Sequence, residues 1–274
     1  MNKISLIATD IDNTLLDSQK RISPRAKEAI READKQGLHF CLASGRAPQA
    51  MGFIQEEIGV ESALGCYSGA LTLFHQKILG SHNLPFEQFR TILRKLSAFD
   101  CSTFIYGLTE WYSEKNDYWF ERECKIVHHR GIITPYHTLL SEKENQGQPL
   151  FKLVIMHKDP IILQEIENQI NRLNLDLEVF KSSSFFIEIN PRSINKATTI
   201  RDVASFYAVP LTEVFAIGDY YNDIGMLKEA GDSVAMLNSP EEVKKCAKRV
   251  STADMDHDGF AIEIEKLLNV QKNT

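Results

Sequence analysis

Two carboxylates stand two residues apart in Asp10-Ile11-Asp12-Asn13-Thr14, directly after the short apolar run Ile4–Ala8. On a turn at that spacing, one can act as a nucleophile while the other gives and takes a proton. The same residue types also make an ordinary solvated turn. Ser44-Gly45-Arg46 follows a second apolar run, Leu38–Ala43. A hydroxyl and backbone N–H groups ahead of a helix suit the oxygens of a phosphate, although Ser-Gly is equally a loop signal. Lys196 follows Glu188-Ile189-Asn190 and opens a helical pattern. Its ammonium can neutralise a phosphoryl group as a point charge, but spacing alone does not separate it from surface lysines. Gly218-Asp219-Tyr220-Tyr221-Asn222-Asp223 comes directly after Val214–Ile217. Its donors are hard oxygens, which suit Mg²⁺ rather than zinc or copper.

The elements around these clusters alternate. Strands are expected at 4–8, 38–43 and 64–67. Between them lie a helix opened by Ser23-Pro24 and closed at Gly37, and another carrying Met51, Ile54 and Ile58 before Gly59. The C-terminal third repeats the pattern with helices at 196–206, 223–230, 240–248 and 261–268 and strands at 214–217 and 233–236. Strand-helix alternation is the grammar of a parallel sheet with helices on its faces. Ligands of such sheets bind beyond the carboxyl ends of the strands, where all four clusters fall. The middle of the chain differs in texture. Helices are expected at 86–99, 118–128 and 160–173, strands near 102–106, 110–113, 151–156, 177–180 and 185–189, and a polar loop at 141–149. The expected fold is therefore an α/β, Rossmann-like parallel-sheet core with helices on both faces, formed by 1–83 and 187–274. Residues 84–186 are expected to be an inserted α+β domain.

Composition narrows the function. The 274 residues are 43% hydrophobic and 25% charged, enough for a real core and incompatible with disorder. A formal charge of −6 gives no general attraction to nucleic acid or anionic membrane. No run approaches the ~18 apolar residues of a membrane span, and Ile4–Ala8 is too short for a signal peptide. The five cysteines are scattered without a CxxC pair and are expected to be reduced, in a cytoplasmic protein.

Taken together, DIDNTLL, ASGR, the lysine after the insert and GDYYND resemble the haloacid dehalogenase superfamily of phosphatases. The likeness is closest to its Cof-type branch with a large, type IIB-like inserted cap, and it extends over the whole chain. The resemblance implies that Asp10 is the nucleophile, forming an aspartyl phosphate, and that Asp12 is the general acid and base. It implies Mg²⁺ held by Asp10, by the main-chain carbonyl of Asp12 and by Asp219, with Asp223 acting directly or through water. The phosphoryl oxygens would meet Ser44, Lys196, Asn222 and the amides of Ile11 and Gly45. The substrate implied is a small phosphorylated metabolite such as a sugar phosphate or phosphorylated cofactor, with no nucleic acid, membrane or obligate protein partner. Phosphoryl transfer to a second substrate, as in a mutase, and a non-catalytic Mg²⁺/phosphoester sensor are the alternatives.

Three positions depart from the family pattern: Asn13 and Ala197 stand where glycine is usual, and Ser68 where asparagine is common. Asparagine tolerates left-handed backbone, so Asn13 is expected to do little harm, whereas Ala197 is expected to shift Lys196 slightly. Near the C-terminus, Asp254-Met255-Asp256-His257-Asp258-Gly259 with Glu265 fits the string of a calcium loop. It lacks an entering helix, has Ala261 at its eighth place, and is expected not to bind calcium. Between 84 and 186 lie 15 of the 25 aromatic residues, including both tryptophans, Trp111 and Trp119. Part of this set is expected to be core, and part an apolar wall for the substrate's leaving group.

Overall fold

The computed structural model describes residues 3–272 and resolves into two compact units. One comprises the chain up to Arg46, Met51–Ser81 and everything from Asn195 onward. The other comprises His82–Ile194 with the short piece Ala47–Ala50.

The first unit begins with β1 (Leu6–Asp10), buried along its whole length. Ser23 caps α1 (Pro24–Lys35) by accepting the Ala26 N–H, and Pro24 fills the first helical position. After β2 (His39–Ala43), α2 (Gly52–Ile58) ends on Gly59 in left-handed geometry, leading to β3 (Ser62–Cys66). A hairpin of β4 (Leu71–Phe74) and β5 (Lys77–Ser81) follows. Sequence patterning predicts no element in this stretch.

The second unit contains α3 (Phe86–Leu96), β6 (Ser102–Gly107), β7 (Trp111–Ser113), α4 (Tyr118–Val127), β8 (Ile132–Ile133) and α5 (Tyr136–Asn145). It continues with β9 (Leu150–Met156), α6 (Pro160–Asn171), β10 (Leu177–Ser183) and β11 (Phe186–Pro191). Its six-stranded sheet has the order β10-β11-β9-β6-β7-β8. Alternation along the strands gives two faces. Ile105, Leu153, Ile155, Ile187 and Ile189 pack with residues of α3, α5 and α6, including Phe89, Leu139 and Leu163. On the other face Trp111 meets Phe104 and also Phe120 of α4. The first half of the supposed loop at 141–149 is the last turn of α5. The insert also runs beyond 186, because β11 pairs with both β9 and β10. Trp111 is fully buried among aromatic rings, so it is core rather than a ligand wall.

The chain then returns to the first unit through α7 (Lys196–Phe206), β12 (Val214–Gly218), α8 (Ile224–Glu229), β13 (Asp232–Ala235), α9 (Glu241–Lys244), β14 (Arg249–Val250) and α10 (Gly259–Lys272). The sheet order is β14-β13-β12-β1-β2-β3-β4-β5, parallel from β14 to β3 and antiparallel beyond. The chain builds outward from β1 through β2 and β3, then restarts on the other side of β1 with β12. The β1–β12 boundary is thus the topological switch point, where the loops leaving adjacent strands diverge and open a crevice. Ala8, Ala43, Val214 and Ala216 pack against Ile200, Val203 and Met226 from α7 and α8. The ends of β2, β1, β12 and β13 consequently lie side by side. Cys41, Cys66 and Cys101 are buried, Cys124 and Cys246 are half-buried, and all five are free thiols. Among the described residues, no helix is long and apolar enough to cross a membrane.

Candidate active site

Pairing of β1 with β12, in register Thr9 to Ile217, brings Asp10 and Asp219 together at adjoining strand ends. Asp10, Asp219 and Asp223 are all buried, and each offers one carboxylate oxygen within 4.8 Å of the others. Among the described residues this is the one acidic, histidine or cysteine cluster arranged to hold a metal ion. The Lys196 side chain enters from the first turn of α7, whose cap Asn195 accepts the Ala197 N–H at 2.8 Å. The fully buried Lys196 ammonium donates to Asp10 Oδ1 and, at 2.5 Å, to Asp223 Oδ1.

Asp223 uses its other oxygen to accept the N–H groups of Asp219 and Tyr220, both at 2.9 Å. It therefore folds the Gly218–Asp223 turn upon itself. A β-carbon at Gly218 would sit 2.6 Å from Cγ of Asp223, so this turn closes only on glycine. Asp219 Oδ1 accepts the Thr14 hydroxyl at 3.2 Å.

Three carboxylates facing one ammonium leave an excess of negative charge away from water. Burial pushes the Asp10 carboxyl well above its ordinary range, and Lys196 only partly opposes this while Asp223 and Asp219 add to it. Asp219 is likewise pushed up to about 6, by burial and then by Asp223. Burial would lower Lys196, but Asp10 and Asp223 outweigh it and hold the ammonium above its ordinary value. A hard divalent cation fits this site: all its donors are oxygens and it has unbalanced negative charge.

Asp12 has different partners. Arg46 grips it with two bonds, Nε to Oδ2 at 2.9 Å and Nη2 to Oδ1 at 2.8 Å, and Lys20 Nζ adds another at 2.9 Å. Burial works against ionisation, yet Arg46 and then Lys20 overcome it and bring Asp12 down to about 2. In this arrangement Asp12 is an anion held by Arg46 and Lys20. Ile11 is buried, its carbonyl accepting the Leu16 N–H at 2.9 Å. Asn13 adopts φ 60°, in line with the expected left-handed turn.

Ser44 directly follows β2, and its carbonyl accepts the Ser68 N–H at 2.8 Å. Ser68 Oγ lies 3.3 Å from where a β-carbon of Gly45 would stand, so its hydroxyl faces the Ser44-Gly45 turn. Tyr67, Ser68 and Gly69 have positive φ in succession, 53°, 55° and 101°. The strained turn brings Gly69 against the carbonyl of Asn195, which a β-carbon would approach to 2.1 Å. Ala197, expected to displace the lysine, is buried with its methyl near Gly225, whose missing side chain leaves the room.

Asn222, in contrast, is exposed and without a side-chain hydrogen bond, apart from the buried cluster. The calcium-like string is taken up by structural contacts. Asp254 caps its own turn by accepting the Asp256 and His257 N–H groups, Asp256 accepts the Ser18 N–H, Asp258 the Ser23 hydroxyl, and Glu265 pairs with Arg25.

Sequence reasoning missed two groups that the structure brings here. Lys20 lies eight residues past Asp12, a spacing with no motif. Asn238, in the turn after β13, donates to the Asn13 carbonyl at 3.1 Å and to Asp219 Oδ2 at 3.4 Å. Its one sequence signal is an Asn-Ser-Pro turn following a strand.

Comparison with known proteins identifies what the chain is similar to. The profile of the haloacid dehalogenase-like hydrolase family matches residues 7–264. The chain is 30% identical over 258 residues to the 5-amino-6-(5-phospho-D-ribitylamino)uracil phosphatase YcsE of Bacillus subtilis, covering 94% of this chain and 93% of that protein. It is 24% identical over 306 residues to Phosphatase YwpJ of the same organism, covering 97% and 100%. Among solved structures, a haloacid dehalogenase-like hydrolase from Bacteroides thetaiotaomicron superposes with a TM-score of 0.87 at 28% identity, covering 97% of this chain and all of that one.

Proposed function

The chain belongs to the haloacid dehalogenase-like hydrolase family, and we propose that it is a Mg²⁺-dependent phosphatase acting on a small soluble phosphomonoester. The observation that carries this reading is the buried group of Asp10, Asp219 and Asp223 closed by Lys196 at the switch point of the sheet. Asp10, the main-chain carbonyl of Asp12, Asp219 and Asp223 would hold the cation, which supplies positive charge to offset repulsion between a phosphate dianion and a carboxylate. Lys196 contributes a fixed positive charge beside the same carboxylate, and Ser44 with the amides of Gly45 and Ile11 orients the phosphoryl oxygens. Asn222, exposed on the turn after β12, is free to close on them.

In the first step a carboxylate oxygen of Asp10 bonds to phosphorus as the ester P–O bond breaks. Asp12, released by Arg46 and Lys20, first takes up a proton from solvent and then gives it to the leaving oxygen. In the second, Asp12 takes a proton from water as the water oxygen bonds to phosphorus, and the P–O bond to Asp10 breaks. Each half is easier than direct displacement by water.

The second unit is the proposed selector of the leaving group. Its half-buried Trp119, beside Phe186 at 5.5 Å with Arg122 over the Phe186 ring at 4.9 Å, is the aromatic group suited to that task. The YcsE relative supports including a phosphoribitylamino-pyrimidine among candidate substrates, beside sugar phosphates and phosphorylated cofactors.

The test is release of inorganic phosphate from a phosphoester panel with Mg²⁺. Asp10→Asn should lower turnover by at least ~10³-fold while leaving the circular dichroism spectrum unchanged, and chelation should stop the native enzyme. Substantial phosphate release by folded Asp10→Asn would refute the covalent route, and full activity after exhaustive chelation would refute the metal.

A further inference from the structure

The turn leaving β13 is built to hold one side chain in place. Met236 N–H donates to the Gly218 carbonyl at the end of β12 (2.9 Å), and Ser239 N–H closes the turn on the Met236 carbonyl (3.0 Å). Leu237 N–H donates to the Ser251 hydroxyl at 2.8 Å, while Ser251 N–H is tied to Ala235 at 2.9 Å. These bonds fix the backbone on both sides of Asn238 and set it beside the Gly218–Asp223 turn.

From that position the Asn238 amide reaches both acidic motifs. One acceptor is the carbonyl of Asn13, whose left-handed backbone shapes the turn that also carries Asp12. The other is Oδ2 of Asp219. Because Thr14 donates to Oδ1 of the same carboxylate, each Asp219 oxygen has its own donor, one from the turn after β1 and one from the turn after β13. Reversing the amide would turn its oxygen toward two acceptors, so only the observed orientation is chemically tolerable.

The remaining atom, Asn238 Oδ1, is buried without a hydrogen-bond partner. An orphaned acceptor costs about 1–3 kcal/mol, a cost absent from an apolar side chain at the same place. Packing alone therefore does not account for asparagine here.

We propose that Asn238 is a positioning residue that locks Asp219, and the turn carrying Asp12, into the arrangement that receives the divalent cation. The proposal rests on reading the acidic cluster as a cation site. Asn238 acts through Asp219 and Asn13. Partners that orient metal ligands in this way change metal affinity or activity by ~10–100-fold when removed.

The test is Mn²⁺ binding to the whole purified protein, followed by electron paramagnetic resonance of the free ion, for native protein, Asn238→Ala and Asn238→Ser. Serine suits a turn and guards against loss of fold, yet its hydroxyl is too short to bridge Asn13 and Asp219. Both variants should bind Mn²⁺ at least ~10-fold more weakly, and the Mg²⁺ concentration for half-maximal phosphatase activity should rise in parallel. Substrate KM at saturating Mg²⁺ should stay near the native value. Combining Asn238→Ala with Thr14→Val should cost less than the product of the two single losses, because both act on one carboxylate. Native Mn²⁺ affinity in either folded variant, with or without a lower melting temperature, would overturn the proposal. Failure of the native protein itself to bind Mn²⁺ would instead overturn the reading of the cluster as a cation site.

Discussion

Opposite charge environments divide the two aspartates of the first motif. Asp10 is buried with two further carboxylates, and its proton is held more tightly than in water. Asp12 lies against Arg46 and Lys20 and loses its proton readily. Asp219 permits a test of this balance without substrate. Its ordinary value is 3.8, and burial with Asp223 raises it to about 6 in the folded protein. Between those values the folded state binds more protons than the unfolded one, so this group's contribution to stability falls as pH rises. The contribution is complete below about pH 3.8 and gone above about pH 6. In metal-free protein, the melting temperature of native protein minus that of Asp219→Asn should therefore decline across this window, and saturating Mg²⁺ should abolish the decline. Parallel pH profiles for the two proteins would show that Asp219 ionises normally. These environments could not be read from residue types, because Arg46 reaches Asp12 from 34 residues away and Lys20 from eight, a spacing with no motif.

The elements work chiefly through their ends. Caps and stops were legible: Ser23-Pro24 opens α1, Gly59 closes α2, and Asn13 takes the left-handed place. The approach of the β3 turn to the start of α7 was not, since it joins Gly69 to Asn195 across the inserted unit. Gly69→Ala should place a methyl group against that carbonyl in a backbone region that disfavours side chains. We expect a loss of ~2 kcal/mol or more, a fall of about 4–8 °C in melting temperature, and lower turnover through displacement of Lys196. Gly37→Ala is the control, with positive φ but no atom within 4 Å of the added carbon. It should cost only ~1 kcal/mol and leave turnover unchanged. Equal effects on turnover would mean that the close approach does not position the lysine.

At the scale of the molecule, each unit has its own core, and all four residues of the acidic cluster and its lysine belong to the first. Both tryptophans belong to the second. Tryptophan fluorescence during denaturant unfolding should therefore report the second unit. Far-ultraviolet circular dichroism reports both. Mg²⁺ should raise the midpoint of the dichroism transition while moving the fluorescence midpoint little. An equal shift in both would show that the units unfold together as one cooperative body.

The sequence by itself determined most of the strands and helices and the chemistry at their ends, though not the β4–β5 hairpin or α5. Apolar runs of strand length, helix caps and glycine stops are local, and so is the placement of Asp10, Ser44, Lys196 and Asp219 just beyond strands or at a helix start. Tertiary structure decided which strand ends became neighbours. Asp10 meets Asp219 because β12 pairs with β1, and a sheet order cannot be read from the periodicity of either strand. That order singled out Lys196 from the other lysines, placed Arg46 on Asp12, and brought Asn238 from a turn without a motif to Asp219. It also buried Trp111, because an aromatic residue on a strand does not reveal whether a helix covers that face of its sheet. Periodicity reports how a segment turns relative to itself, whereas proximity of distant side chains depends on the path of the chain between them.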